Sequence, residues 1–280
     1  MQSEISERFQ ALAADPEGAS SLAEGALIVA AEVRPEVDIA TGIEQVEETA
    51  ERARPFVEAA TSPSAAVAAL NHALFELDRF RGNQERYDDP RNSYFDEVLT
   101  RRRGIPITLS VLYVEVARRL GLEAYGVGFP GHFLSKVVGV SDLPEREIIV
   151  DPFFGRILSL SDCADRVRSA AGEHVELDAQ WLQPVSSRDI YVRMLNNLKL
   201  LYLRQGDGLG ALGCFDRIVV LAPEAAFEYR DRGMLLERME CINAAVDDYA
   251  RFLELAPNDE SAHPIRLRRD ALSQRKPVLN

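Results

Sequence analysis

A chain of 280 residues with 46% hydrophobic and 28% charged side chains has the composition of a soluble globular protein, long enough for two domains or one large one. Its formal net charge of −13 argues against a nucleic-acid partner, because neutralising phosphates requires a basic face. No stretch reaches the ~18 apolar residues that span a bilayer, and Met1 to Glu7 lacks the basic and apolar regions of a signal peptide, so no membrane partner is expected and the cytoplasm is the expected compartment.

From the start to about Arg81 the pattern is helical. Leu22–Val33 and Ile43–Ala60 carry apolar residues at helical spacing with charges between them. Ala65–Phe80 follows a Ser-Pro-Ser start in which Pro63 suits a first turn, and it sets Val67, Leu70, Leu74 and Leu77 on one stripe. A polar, turn-rich stretch runs from Gly82 to Ser93.

Pro106–Leu120 is predicted as a helix, with proline in its first turn and Gly121 just past its end. Ile107, Val111, Leu112, Val114, Val116, Ala117 and Leu120 cover most of its circumference, which marks a central helix. Glu115 in its midst needs a partner, for which Arg101–Arg103 or Arg118 and Arg119 are the available cations. Ala124–Phe129, Phe133–Val140 and Glu147–Val150 are short, rich in β-branched and aromatic residues, and separated by turns, so they read as antiparallel strands. From Leu160 the pattern returns to helix up to the end. A central helix followed by a small antiparallel sheet makes an α+β core.

Two ionisable residues stand at the ends of these strands. His132, in Gly-Phe-Pro-Gly-His-Phe-Leu, precedes one strand, and Asp151, in Asp-Pro-Phe-Phe-Gly-Arg, ends the next. Adjacent strands can bring such a pair together, the carboxylate orienting the imidazole as in a catalytic dyad. The plainer alternative is that Asp151 caps the turn before Pro152 and His132 is a turn residue. Cys163, Cys214 and Cys241 are odd in number, far apart and without a CxxC pair, so free thiols are expected and no metal or cofactor is called for.

In the last hundred residues, Leu221-Ala222-Pro223 recurs 34 residues later as Leu255-Ala256-Pro257. At the same offset Ala211 matches Ala245, Leu212 Val246, Phe215 Tyr249 and Arg217 Arg251. A small alanine lets two helices approach, an aromatic one turn on fills the gap, and proline stops the helix. This is the tetratricopeptide pattern. It predicts helix pairs near residues 188–222 and 225–257, an additional helix at Ala262–Ser273, and two domains, 1–185 and 186–280.

The run Arg102-Arg103-Gly104-Ile105-Pro106 through Leu122, with Gly126 to Leu134 and Asp151-Pro152-Phe153, resembles a transglutaminase-like core. Together with Asn196-Asn197-Leu198-Lys199 and Arg230-Asp231-Arg232-Gly233 it is similar to the bacterial SirB-like family, in which such a core precedes tetratricopeptide repeats. The resemblance implies a papain-like α+β fold with N-terminal helices and an all-α repeat region. It also implies a triad of Cys at the start of the central helix, His on a strand and Asp on the next. His132 and Asp151 fall on the latter two positions, but the nucleophile's position is Pro106, which has no nucleophilic atom. Ser110 lies one turn along the helix. It would either face His132 or bond a carbonyl one turn back.

The expectation is therefore a non-catalytic module that holds a protein or peptide through its repeats, with Arg230 among the contacts, and through a cleft lined by His132, Phe129, Phe133 and Ser110. The rival expectation is a hydrolase or amide-processing acyltransferase that uses His132 and Asp151 with a hydroxyl or water nucleophile.

Overall fold

The computed structural model describes residues 2–18, 21–172 and 174–274. The chain divides into two compact units, Met1–Met194 and Leu195–Asn280.

The first unit opens with helices α1 (Gln2–Ala14), α2 (Leu22–Val33), α3 (Ile39–Glu58) and α4 (Pro63–Asn71). Side-chain caps set their starts. Ser21 accepts from the Glu24 N–H, Asp38 from Ala40 and Thr41, and Ser62 from Ala65. Asp38 explains why α3 begins four residues before the predicted Ile43. The predicted helix Ala65–Phe80 does not run through. It ends at Asn71 and continues as a π-helical turn over His72–Leu77. The widened turn breaks the expected stripe: Val67 and Leu70 are fully buried, whereas Leu77 is 49% exposed. The same turn sets the Phe75 ring parallel to Tyr113, centroids 6.0 Å apart.

After the turn-rich stretch come α5 (Phe95–Arg101) and α6 (Pro106–Arg119), the latter buried from Pro106 through Ala117. Ile105, at the cap position of α6, has no polar side chain. Thr108 substitutes for it: its hydroxyl accepts from the Ile105 N–H at 3.2 Å and donates to the Asn92 carbonyl at 2.9 Å. Glu115 finds Arg119 at 3.3 Å and accepts from the Ala23 N–H at the start of α2, so its buried charge is compensated from two elements.

Strands β3 (Glu123–Val127), β4 (Leu134–Val138), β5 (Glu147–Asp151) and β6 (Arg156–Leu158) form an antiparallel sheet in that order. β6 has no counterpart among the predicted strands. It is only three residues long and is created by the Pro152–Gly155 reversal, where Gly155 takes φ +65°. A second, parallel pairing joins β1 (Arg81–Gly82) to β2 (Arg103–Gly104), directly ahead of α6. One face of the sheet packs on α6. The other, with Leu134, Ile149 and Leu158, packs on Cys163 and Val167 of α7 (Leu160–Ala171). The expected return to unbroken helix after Leu160 is not met. Gly172, at φ +110°, ends α7, and residues 174–186 are irregular apart from a 3-10 turn at Ala179–Leu182.

Helix α8 (Ser187–Gln205) runs through the division between the units. Within the second unit follow α9 (Gly208–Leu221), α10 (Ala226–Arg238), α11 (Ile242–Leu255) and α12 (Ala262–Ser273). Ala211 and Ala245 are completely buried, Phe215 and Tyr249 nearly so. A Cβ on Gly233 would lie 2.8 Å from the Tyr249 ring, so α10 and α11 meet at glycine against aromatic. Arg232 ties the pair further, reaching Asp248 at 2.6 Å and Asp216 at 2.9 Å. Among the described residues no helix is long and apolar enough to cross a membrane.

Candidate functional site

His132 leaves the sheet on a tight turn. Its N–H donates to the Phe129 carbonyl at 3.1 Å, with Pro130 fixing the first corner and Gly131 taking φ +65° at the second. This turn aims the imidazole across the end of β5, where Asp151 is fully buried. His132 Nε2 lies 3.0 Å from Asp151 Oδ1 and 3.1 Å from Oδ2. Asp151 also accepts from the Phe153 N–H at 3.0 Å and the Phe154 N–H at 3.3 Å, and Arg166 of α7 reaches its Oδ2 at 2.6 Å.

Burial alone would raise the Asp151 carboxyl. The hydrogen bond and charge of His132, the Arg166 guanidinium and the Phe154 N–H outweigh it and hold the group below the usual carboxylate range. With Nε2 committed to an ionised carboxylate, Nδ1 is the nitrogen left to face a ligand or a proton.

An aromatic shell surrounds the pair. The His132 ring meets Phe153 edge-on at 6.0 Å and stacks on Phe154 at 6.1 Å, and Arg166 lies over Phe154 at 5.4 Å. Tyr87, from the turn-rich stretch, stands edge-on to Phe153 at 6.0 Å. Phe154 is 43% and Tyr87 50% exposed, so the shell opens to solvent on their side. Phe153 connects the pair to the start of α6. It accepts from the Gly82 N–H at 3.0 Å, its ring fills the space a Cβ on Gly82 would take, and Gly82 pairs with Gly104, two residues before Pro106.

The remaining residues named from the sequence fall elsewhere. Phe129 and Phe133, expected to line a cleft, are core residues, 1% and 2% exposed. Phe129 packs with Leu134 and Ile149, and Phe133 lies beneath the Arg193 guanidinium at 5.2 Å. Ser110 is also fully buried, and its hydroxyl makes no hydrogen bond among the described residues, neither to His132 nor to the preceding turn. The cause is position. One turn into a helix covered on all sides, a side chain points into the core and not towards the helix mouth. Arg230 belongs to the second unit, over Phe227 at 4.9 Å and bonded to Asp231 at 2.8 Å.

Arg166 and Arg193 carry no local sequence signal as site residues. Arg166 looks like any charge on an amphipathic helix. Arg193 of α8 donates to the carbonyls of Phe129 and His132, more than sixty residues earlier, and so clamps the turn that carries the imidazole. Burial lowers its pKa, because desolvation disfavours the charged form.

Among the described residues no cysteine sulfur bonds to His132 or Asp151. Cys163 is buried in the apolar layer under α7, its pKa pushed up to about 11 by burial. Cys214, likewise raised to about 12, and Cys241 belong to the second unit.

Residues 40–196 match the Transglutaminase-like superfamily and residues 198–270 the Tetratricopeptide repeat. The chain is 36% identical over 245 residues to a UPF0162 protein of Xylella fastidiosa, covering 86% of each chain. It is 31% identical over 255 residues to a UPF0162 protein of Vibrio cholerae, covering 91% of this chain and 93% of the other. It is also similar to F-box only protein 21 of Homo sapiens, 34% identical over 143 residues, 49% of this chain and 22% of that one. The match to a transglutaminase-like domain followed by tetratricopeptide repeats, and the identities of 36% and 31% across most of each chain, place this chain in the UPF0162, or SirB-like, family.

Proposed function

We propose that this protein binds a protein or peptide partner without altering it chemically, using the repeats and the surface around His132. The observation that carries the proposal is the start of α6. The position that matches the family nucleophile is Pro106; of the two hydroxyls that follow it, Thr108 is engaged with Ile105 and Asn92 and Ser110 is buried without a bond to His132, and Cys163 is sealed under α7. A base without a nucleophile does no acyl transfer. What remains is an imidazole held by Asp151 and flanked by the exposed rings of Phe154 and Tyr87, a surface suited to a side chain with an apolar body and a polar tip. In the second unit Arg230 and the half-exposed Phe227 offer a comparable cation–aromatic contact.

One feature favours a second reading, hydrolysis by an activated water. The imidazole is oriented by a carboxylate and keeps Nδ1 available, the arrangement of a general base. The two readings separate in one experiment. Partners are captured from cell extract with the wild-type chain and with His132→Ala and Arg230→Ala. On the binding reading both substitutions reduce retention of the same partner, and its mass is unchanged after incubation with the wild-type chain. On the hydrolytic reading His132→Ala retains the partner and abolishes its processing.

A further inference from the structure

The four-stranded sheet has two edges, and they are treated differently. At β3 the edge is closed: Val127 bridges Pro184, and the Val185 N–H donates to the Gly126 carbonyl at 3.0 Å. At β6 no strand or bridge pairs the outer side among the described residues. An uncovered edge is a row of unsatisfied donors and acceptors, and proteins usually shield one with charge, proline or a covering segment. β6 is three residues long and carries the exposed Arg156, but apolar side chains also stand at this edge. Ile157 of β6 is 48% exposed and Leu160, at the start of α7, 53% exposed.

These two residues share a groove of about 440 Å³ with Leu143, Ile148, Glu145 and Glu147. Its lining carries no cation. Glu147 is engaged by Lys136 at 3.0 Å, while Glu145 stands exposed at the rim. An unpaired strand edge, an apolar groove and a free carboxylate at its rim specify one kind of ligand. We propose that β6 and this groove form a second binding site, which takes an extended segment of another protein by strand addition. Alternate apolar side chains enter the groove beside Ile157 and Leu160, and a lysine or arginine meets Glu145. Main-chain hydrogen bonds to the edge supply the general affinity and the groove supplies selectivity. The site involves neither His132 nor the repeats, so it stands or falls separately from the function proposed above.

The test uses the full chain and a fluorescein-labelled octapeptide of alternating valine and lysine, followed by fluorescence anisotropy. The peptide binds saturably. Ile157→Thr, which keeps a β-branched residue in the strand, and Leu160→Ser, which changes an exposed side chain, each weaken it roughly tenfold, the cost of one uncovered aliphatic contact. Glu145→Lys weakens it too, and the difference from wild type shrinks at high salt. Methylating the peptide's alternate backbone nitrogens abolishes binding when they face β6, since the added strand then loses its donors. Binding that is indifferent to backbone methylation, or equal binding by a valine–glutamate octapeptide, overturns the proposal. So does a concentration-dependent dimer of the wild-type chain, seen by sedimentation and lost in Ile157→Thr, because a second copy is then the occupant of the edge.

Discussion

The Nε2 atom of His132 sits 3.0 Å from the Asp151 carboxylate, and that carboxylate is wholly shut off from solvent by the imidazole, Arg166 and two backbone N–H groups. A buried carboxylate so compensated is stable only while ionised. Removing Arg166 or His132 leaves that carboxylate short of a partner.

The first prediction concerns acid. Asp151 has a folded pKa below its unfolded value, so it adds stability that is fully present above the unfolded value, about 3.9, and is lost as pH falls through the lower folded value. Asp151→Asn should therefore be less stable than wild type at neutral pH and lose less on acidification below about pH 4. Urea midpoints measured from neutral pH downward read both effects. Curves that stay parallel for wild type and variant would contradict the assignment.

Arg193 is predicted to matter through the turn it holds. Arg193→Ala removes two bonds from a charged donor to the carbonyls of Phe129 and His132 and a cation over Phe133, and should cost about 2–3 kcal/mol. Arg193→Lys should restore only part, since an ammonium lacks the flat guanidinium face that lies over the Phe133 ring. Chemical denaturation gives the energies. The His132 ring resonances in NMR should broaden or shift in Arg193→Ala, as a purely remote stability loss would not require.

Much of this was legible in the chain, for reasons that are local. Pro106 and Gly121 bracket α6, the 34-residue offset fixes the repeats, and Pro130-Gly131 and Asp151-Pro152 mark turns whose dihedral demands are carried by those residues themselves. What escaped is what tertiary packing decides. Neither Arg193 nor Arg166 announces itself, because each acts on residues far along the chain. Phe129 and Phe133 are aromatic on both readings, core or cleft, and only the packing of α7 and Arg193 makes them core. The π-helical turn at His72–Leu77 keeps an ordinary helical composition, so nothing in its residues signals the extra residue that swings Leu77 to the surface.

In the repeats, the close approach at the buried Ala245 should not tolerate a larger side chain. Ala245→Leu is expected to cost ~1–3 kcal/mol, the range for overpacking a tight contact. Thermal or urea unfolding that matched wild type would mean that α10 and α11 do not pack as closely as Gly233 against Tyr249 indicates.

Thiol reactivity gives a simple readout of the missing nucleophile. In the native protein an aromatic disulfide reagent should modify Cys241 readily, and Cys163 and Cys214 only after unfolding, because burial raises both thiols and denies access. Cys163→Ala should leave partner retention unchanged. Rapid native modification of Cys163 would place a reactive thiol near Asp151 and reopen acyl chemistry.

The imidazole that Asp151 orients is expected to hold a partner without acting on it chemically. Intact-mass spectrometry of the captured partner, after incubation with the wild-type chain and with His132→Ala, decides this. The partner's mass should be identical in both, with the partner held less tightly by His132→Ala. A partner that is cleaved, deamidated or otherwise altered by the wild-type chain but left intact by His132→Ala would contradict it.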